Sequence, residues 1–135
     1  MKPSEKIHFI SNWIKNYVNN MPSKAQSLVI GISGGIDSSV CSTLSAITGL
    51  KTIVLSMPIK QKNFQHDLSL KHQKWLIKNF KNVEAHLINL NELFKTFEDS
   101  LSKFDDEHGM ANSRARLRMA TLYQVAATNK GIVVG

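Results

Sequence analysis

The stretch Leu28-Val29-Ile30-Gly31-Ile32-Ser33-Gly34-Gly35-Ile36-Asp37-Ser38 decides how the rest of the chain is read. Its first part is short, continuously apolar and β-branched, the pattern of a strand buried on both faces in a parallel sheet. The adjacent glycines then let the backbone turn sharply and approach a ligand with no Cβ in the way. A helix is expected from this turn to about Thr48, closed by Gly49. Its free N–H groups and positive dipole end face the turn and make an anion site suited to phosphate, to which Ser33 and Ser38 add hydroxyl donors. Asp37 is the odd member, because a carboxylate beside a phosphate cradle repels the ligand unless a cation lies between them. It is a natural ligand for Mg²⁺ on a polyphosphate. The loop lacks the Lys of G-x-x-x-x-G-K-[ST] and is not G-x-G-x-x-G, which disfavours Walker-type phosphoryl transfer and dinucleotide hydride chemistry.

Outward from this loop, helices and strands alternate. Ile7, Ile10, Ile14, Tyr17, Val18 and Met21 recur at helical spacing and predict a helix from about Ser4, which can cap it, to Met21. Thr52-Ile53-Val54-Leu55 predicts a second buried strand, stopped by Pro58. A polar connection from Ile59 to His66 leads to a helix over about Asp67 to Phe80, and Val83 to Asn89 to a third strand. Asn91 is expected to cap a helix with Phe94, Phe97, Leu101 and Phe104 in one stripe. A long helix is expected over about Met110 to Asn129, and a fourth strand from Gly131. Such alternation predicts an α/β fold, a Rossmann-like doubly wound parallel sheet flanked by helices. Ligands then sit beyond the carboxyl ends of the strands.

The composition fits this. The chain has 135 residues, 42% hydrophobic and 20% charged, which is one globular domain rather than a disordered or fibrous chain. The longest uncharged stretch, Ser38 to Leu50, is too short for a bilayer span, and the charged N-terminus lacks a signal-peptide core. The single Cys41 excludes an internal disulfide and fits a reducing cytoplasm. The net charge of +7 leaves anionic small molecules as plausible partners. Lys71, Lys74, Lys78 and Lys81 read as one solvated helix face, so nucleic acid is not the expected partner.

Ser33-Gly34-Gly35-Ile36-Asp37-Ser38 resembles the S-G-G-x-D-S loop of the ATP pyrophosphatases, which cleave ATP to AMP and pyrophosphate. Asn112-Ser113-Arg114-Ala115-Arg116-Leu117-Arg118-Met119 is similar to the N-x-x-A-R-x-R-M helix of the ammonia-dependent NAD synthetase family. The resemblance implies that Gly31, Ile32 and Ser33 to Ser38 (Gly34, Gly35, Ile36 and Asp37 included) bind ATP, that Asp37 holds Mg²⁺, and that Arg116 binds deamido-NAD. It implies ammonia as a further substrate, an adenylated intermediate, no nucleophilic side chain, and a homodimer in the cytoplasm. A helix sets Arg114 and Arg118 about 40° apart and Arg116 about 200° from either, so the three do not share a site. Arg114 and Arg118 read as surface or interface charges. The rival readings are another ATP pyrophosphatase, of the GMP synthetase or tRNA-modifying kind, and a non-catalytic nucleotide-binding or dimerisation module.

Other residues read as structural. Cys41 is expected as a small core residue, and Trp13 and Trp75 as core or subunit contact. The five histidines have no metal-ligand spacing. Ser56 stands where the family commonly contacts ATP, though its side chain is short. The family's T-G-N-x-x-E and T-K-x-G-D segments have no counterpart among these residues, so residues 1–135 are expected to be an N-terminal portion, with the sheet truncated after its fourth strand.

Overall fold

The computed structural model describes residues 1–135. In chain order the elements are α1 (Pro3–Asn19), β1 (Ser27–Gly31), α2 (Ile36–Ile47), β2 (Thr52–Ser56), α3 (Asn63–Asn79), β3 (Val83–Leu87), α4 (Asn91–Ser100), α5 (Glu107–Thr128) and β4 (Gly131–Val133). A single 3-10 turn over Ser102–Phe104 joins α4 to α5. The strands form one sheet in the order β3-β2-β1-β4, with every pairing parallel. The expected doubly wound α/β architecture is what the chain adopts.

Side-chain alternation along the strands divides the core in two. Val29, Ile53 and Leu55 face α4 and α5, where they pack with Phe94, Met110, Leu122 and Ala126. Leu28 and Ile30 face the other way, onto Ile14 and Val18 of α1. Val54 and Ile32 meet Ala46 of α2 and Leu76 of α3 on that same side. The chain steps from β1 to β3 with its crossover helices on one face, then returns past β1 to β4 with its helices on the other. This change of direction puts the topological switch point between β1 and β4. At their amino ends these strands approach closely, since a Cβ on Gly131 would strike Ser27. The outer sides of β3 and β4 pair with no strand.

Several boundaries differ from expectation, each for a local reason. Ser4 is not a cap: Pro3 takes the first helical position, and the Lys2 N–H donates to the Glu5 carboxylate at 3.1 Å. Of the α1 stripe, Ile14 and Val18 are buried, while Ile7, Ile10 and Tyr17 are exposed. Helix α3 starts four residues before Asp67; its first three residues are solvent-facing, so no apolar period announces it. Asn91 lies inside α4 and accepts the Lys60 N–H at 2.7 Å instead of capping its own helix. The Phe94 stripe breaks up: Phe94 is buried, Phe97 is exposed within the same helix, and Phe104 is exposed beyond the helix end at Ser100. Helix α5 begins at Glu107 because the Asp106 carboxylate caps it, accepting the Gly109 N–H at 2.9 Å. Trp13 and Trp75 are not core residues. Trp13 stacks on Tyr17 at 5.6 Å and Trp75 on His72 at 5.7 Å, both largely exposed.

Candidate nucleotide site

A cleft of about 750 Å³ opens at the switch point, between the carboxyl ends of β1 and β4. Strand β1 contributes Ile30, Gly31 and Ile32, and β4 contributes Val133 followed by Val134 and Gly135. Helix α5 supplies Arg114, Arg118 and Tyr123, and the segment after β2 supplies Met57 and Ile59 to Lys62. Gly31 makes room here: a Cβ would sit 3.1 Å from the Met57 methyl, inside ordinary contact.

The loop after β1 holds itself through its own hydroxyls. The Ser38 Oγ accepts the Ser33 N–H at 3.1 Å and donates to the Gly35 carbonyl at 3.2 Å, and the Gly35 N–H donates to the Ser33 Oγ at 3.2 Å. Gly35 is the N-cap of α2, so the N–H groups of Ile36, Asp37 and Ser38 lack intrahelical acceptors. Gly34 has φ +92°, and a Cβ there would run into the Gln65 carbonyl of α3. It therefore serves the turn and the close approach of α3, and does not line the cleft. Ile36 is also off the cleft wall, with its side chain 78% exposed. Ser33, Gly35, Asp37 and Ser38 do line it.

Asp37 lies in the first turn of α2, exposed and without an ion-pair partner, and is the one carboxylate lining the cleft. No group of three or more His, Cys, Asp or Glu side chains is arranged to hold a metal. A single free carboxylate beside a phosphate cradle suits Mg²⁺ that brings phosphate oxygens as its other ligands, and does not suit a cation caged by protein alone. Against Asp37 stand Lys60, Lys62, Arg114 and Arg118. Lys60 is paired with Glu98 at 2.7 Å and Arg114 with Glu107 at 3.0 Å, while Lys62 and Arg118 have no carboxylate partner. The cleft is thus a cationic lining with one anionic point.

Arg114 and Arg118 are not surface charges. Arg118 is half-buried and donates from Nε to the Met57 carbonyl at 3.0 Å and from a terminal nitrogen to the Ile59 carbonyl at 3.4 Å. Burial, then the neighbouring Arg114 guanidinium, lowers its pKa from the ordinary arginine value. Arg114 lies over the Phe94 ring, 5.7 Å from its centroid. The spacing Met110, Arg114, Arg118, Leu122, Ala126 carries the signal that this side of α5 faces the sheet: three of the five are buried apolar residues, so the arginines between them turn inward as well. Arg116 is exposed on the opposite side of α5, bordering a small apolar groove with Leu93, Phe97 and Leu117, away from the β1 loop. The helical angle separates these arginines as expected.

Two other expectations are corrected. Cys41, a half-buried free thiol, lines the cleft one helical turn beyond Asp37 instead of filling the core. The Ser56 hydroxyl is buried against that of Ser69, which also donates to the Ile32 carbonyl at 3.1 Å, so it braces β2 and does not reach the cleft.

The sequence profile of the NAD synthase family matches residues 6–135. The chain is 36% identical to the NH(3)-dependent NAD(+) synthetase of Mesoplasma florum, over all of this chain and 54% of that protein. It is 33% identical to that of Mycoplasma genitalium, over 93% of this chain and 50% of the relative. Among solved structures, NMN synthetase from Francisella tularensis superposes with a TM-score of 0.88 at 33% identity, over 100% of this chain and 54% of the other. The NH3-dependent NAD synthetase from Campylobacter jejuni, in complex with the nitrate ion, gives 0.85 at 28%, over 100% and 56%. The chain spans about half the length of the relatives it matches.

Proposed function

Because the chain belongs to the NAD synthase family, we propose that it takes part in the ATP-dependent amidation of deamido-NAD by ammonia and supplies the ATP-gripping part of the site. The observation that carries the reading is the unpaired Asp37 carboxylate in the first turn of α2, lining the cleft at the switch point of the sheet. In the first step the nicotinate carboxylate attacks the α-phosphorus of ATP and pyrophosphate leaves. Ammonia then attacks the adenylated carbonyl, loses a proton and expels AMP.

The chain's part is positioning and charge neutralisation. The N–H groups of Ile36, Asp37 and Ser38 and the hydroxyls of Ser33 and Ser38 hold the departing pyrophosphate. The backbone of Gly31, Ile32, Gly34 and Gly35 shapes the cradle, and Lys62 adds positive charge. Asp37 would hold Mg²⁺, which when bound offsets phosphate charge. Arg116 contacts deamido-NAD from the far side of α5, a role supported by resemblance and by its separation from the ATP cleft. The enzyme works as a homodimer, and the free Cys41 thiol suits a reducing cytoplasm. No helix is long and apolar enough to cross a membrane.

The likeness to a protein named NMN synthetase motivates a second reading, in which the acid amidated is the nicotinate mononucleotide. Both are tested by pyrophosphate release in the presence of ATP, Mg²⁺ and ammonium. Stimulation by deamido-NAD over the mononucleotide supports the first reading, the reverse order supports the second, and stimulation by neither refutes both.

A further inference from the structure

We propose that Arg118 is a positioning residue whose guanidinium pins the segment Met57 to Lys62 in the shape in which that segment walls the cleft. Only the identity of the occupant, a nucleotide, rests on the function proposed above. The two guanidinium donors reach carbonyls two residues apart, those of Met57 and Ile59. Such a fork is a geometry that an ammonium does not reproduce. A half-buried cation without a carboxylate is costly unless its donors find acceptors, and here the segment's own backbone takes two of them.

Met57 and Ile59 are themselves buried in the core and the Pro58 carbonyl accepts the Leu90 N–H, while the segment's other side-chain ties lie at exposed positions. Lys60 sits at φ +49°, in the left-handed region that disfavours a side chain. Its N–H donates to Asn91 and its ammonium to Glu98, both exposed interactions, and the Gln61 amide donates to the Ser33 carbonyl in another. The Arg118 bonds are the part-buried ones and therefore the least screened. Through Gln61 the same segment touches the phosphate loop, so releasing Arg118 loosens the wall opposite Ser33 without altering a residue of the cradle.

The test compares Arg118→Gln and Arg118→Lys in the full chain by limited trypsin digestion, thermal melting and Mg-ATP affinity. Cleavage after Lys60 and Lys62 is expected to rise at least about tenfold in both variants while other sites keep their wild-type rates, as local opening requires. Mg-ATP affinity is expected to fall about tenfold, with Lys failing to rescue it. Wild-type affinity restored by Lys would mean that charge acts directly on the ligand and would overturn the proposal. So would unchanged cleavage at Lys60 and Lys62. If the Gln variant loses its fold, seen as faster cleavage everywhere, the Lys variant decides. A wild-type chain that binds no ATP removes the nucleotide reading, and the digestion pattern still decides the tether.

Discussion

Gly34 and Asp37 are three residues apart and have opposite structural demands. Gly34 is confined by its positive φ and by the Gln65 carbonyl beneath it. Gly34→Ala is expected to destabilise by about 1–3 kcal/mol, read from the urea midpoint. Asp37 touches nothing that holds the fold, so Asp37→Asn should leave stability within about 0.5 kcal/mol. Its effect should fall on ligand binding: the gain in ATP affinity on adding Mg²⁺ is expected to disappear, and chelating Mg²⁺ from the wild type should reproduce the variant. An Asn variant with an undiminished Mg²⁺ effect would remove Asp37 as the metal ligand. At this scale the glycine loop and its carboxylate were legible because their meaning lies in local backbone geometry. Lys62, Gln61 and Cys41 were not, because they reach the cleft only through the packing of a neighbouring segment. Arg118 lay between these cases: its four-residue spacing to Leu122 and Ala126 pointed inward, but a charge among apolar residues reads as exposed until an acceptor is found for it.

Elements were legible in kind and less so at their ends. Strands β1 and β2 announce themselves through continuous apolar runs, whereas the first three residues of α3 are solvent-facing and leave no period to detect. Ser4 does not cap because the helix already starts at Pro3, and Asn91 does not because its side-chain oxygen is taken by the Lys60 N–H while Asn89 accepts the Asn91 N–H. Helix α3 is tied to α2 by His72, whose Nε2 lies 2.9 Å from the buried Ser42 hydroxyl. Burial lowers the His72 pKa below the ordinary 6.5, against an opposing hydrogen bond to the Ser39 backbone. The unfolded chain therefore takes up this proton first as pH falls. The stability His72 contributes is full above 6.5 and is lost as pH falls from there through the folded value. Melting temperature should drop between about pH 7 and pH 5, and more shallowly in His72→Gln. On the opposite face, Phe94 is the one residue of α4 fully committed to the core and also carries Arg114 over its ring. Phe94→Ala is expected to cost about 3–5 kcal/mol in equilibrium unfolding.

For the molecule as a whole, strand alternation was enough to anticipate a parallel sheet with helices on both faces, and with it the cleft beyond β1. The neighbour order β3-β2-β1-β4 was not readable, since periodicity says which face is buried but not which strand lies alongside. The two rims of that sheet differ. The β3 rim carries the Glu84 carboxylate and the polar His86, side chains that discourage further pairing. The β4 rim carries Gly131, Ile132 and Val133 only. The Val134 N–H donates to the Val29 carbonyl at 2.9 Å, so by alternation the Val133 N–H faces the open side. Amide exchange followed by NMR should find Val134 protected and Val133 exchanging much faster; equal protection would mean the rim is covered. An uncharged rim that also borders the cleft makes solubility and ligation opposing fates of one surface. A strand added at β4 would crowd the mouth where Val133 and Gly135 stand. A ligand that fills the cleft is expected to oppose such strand addition by mass action.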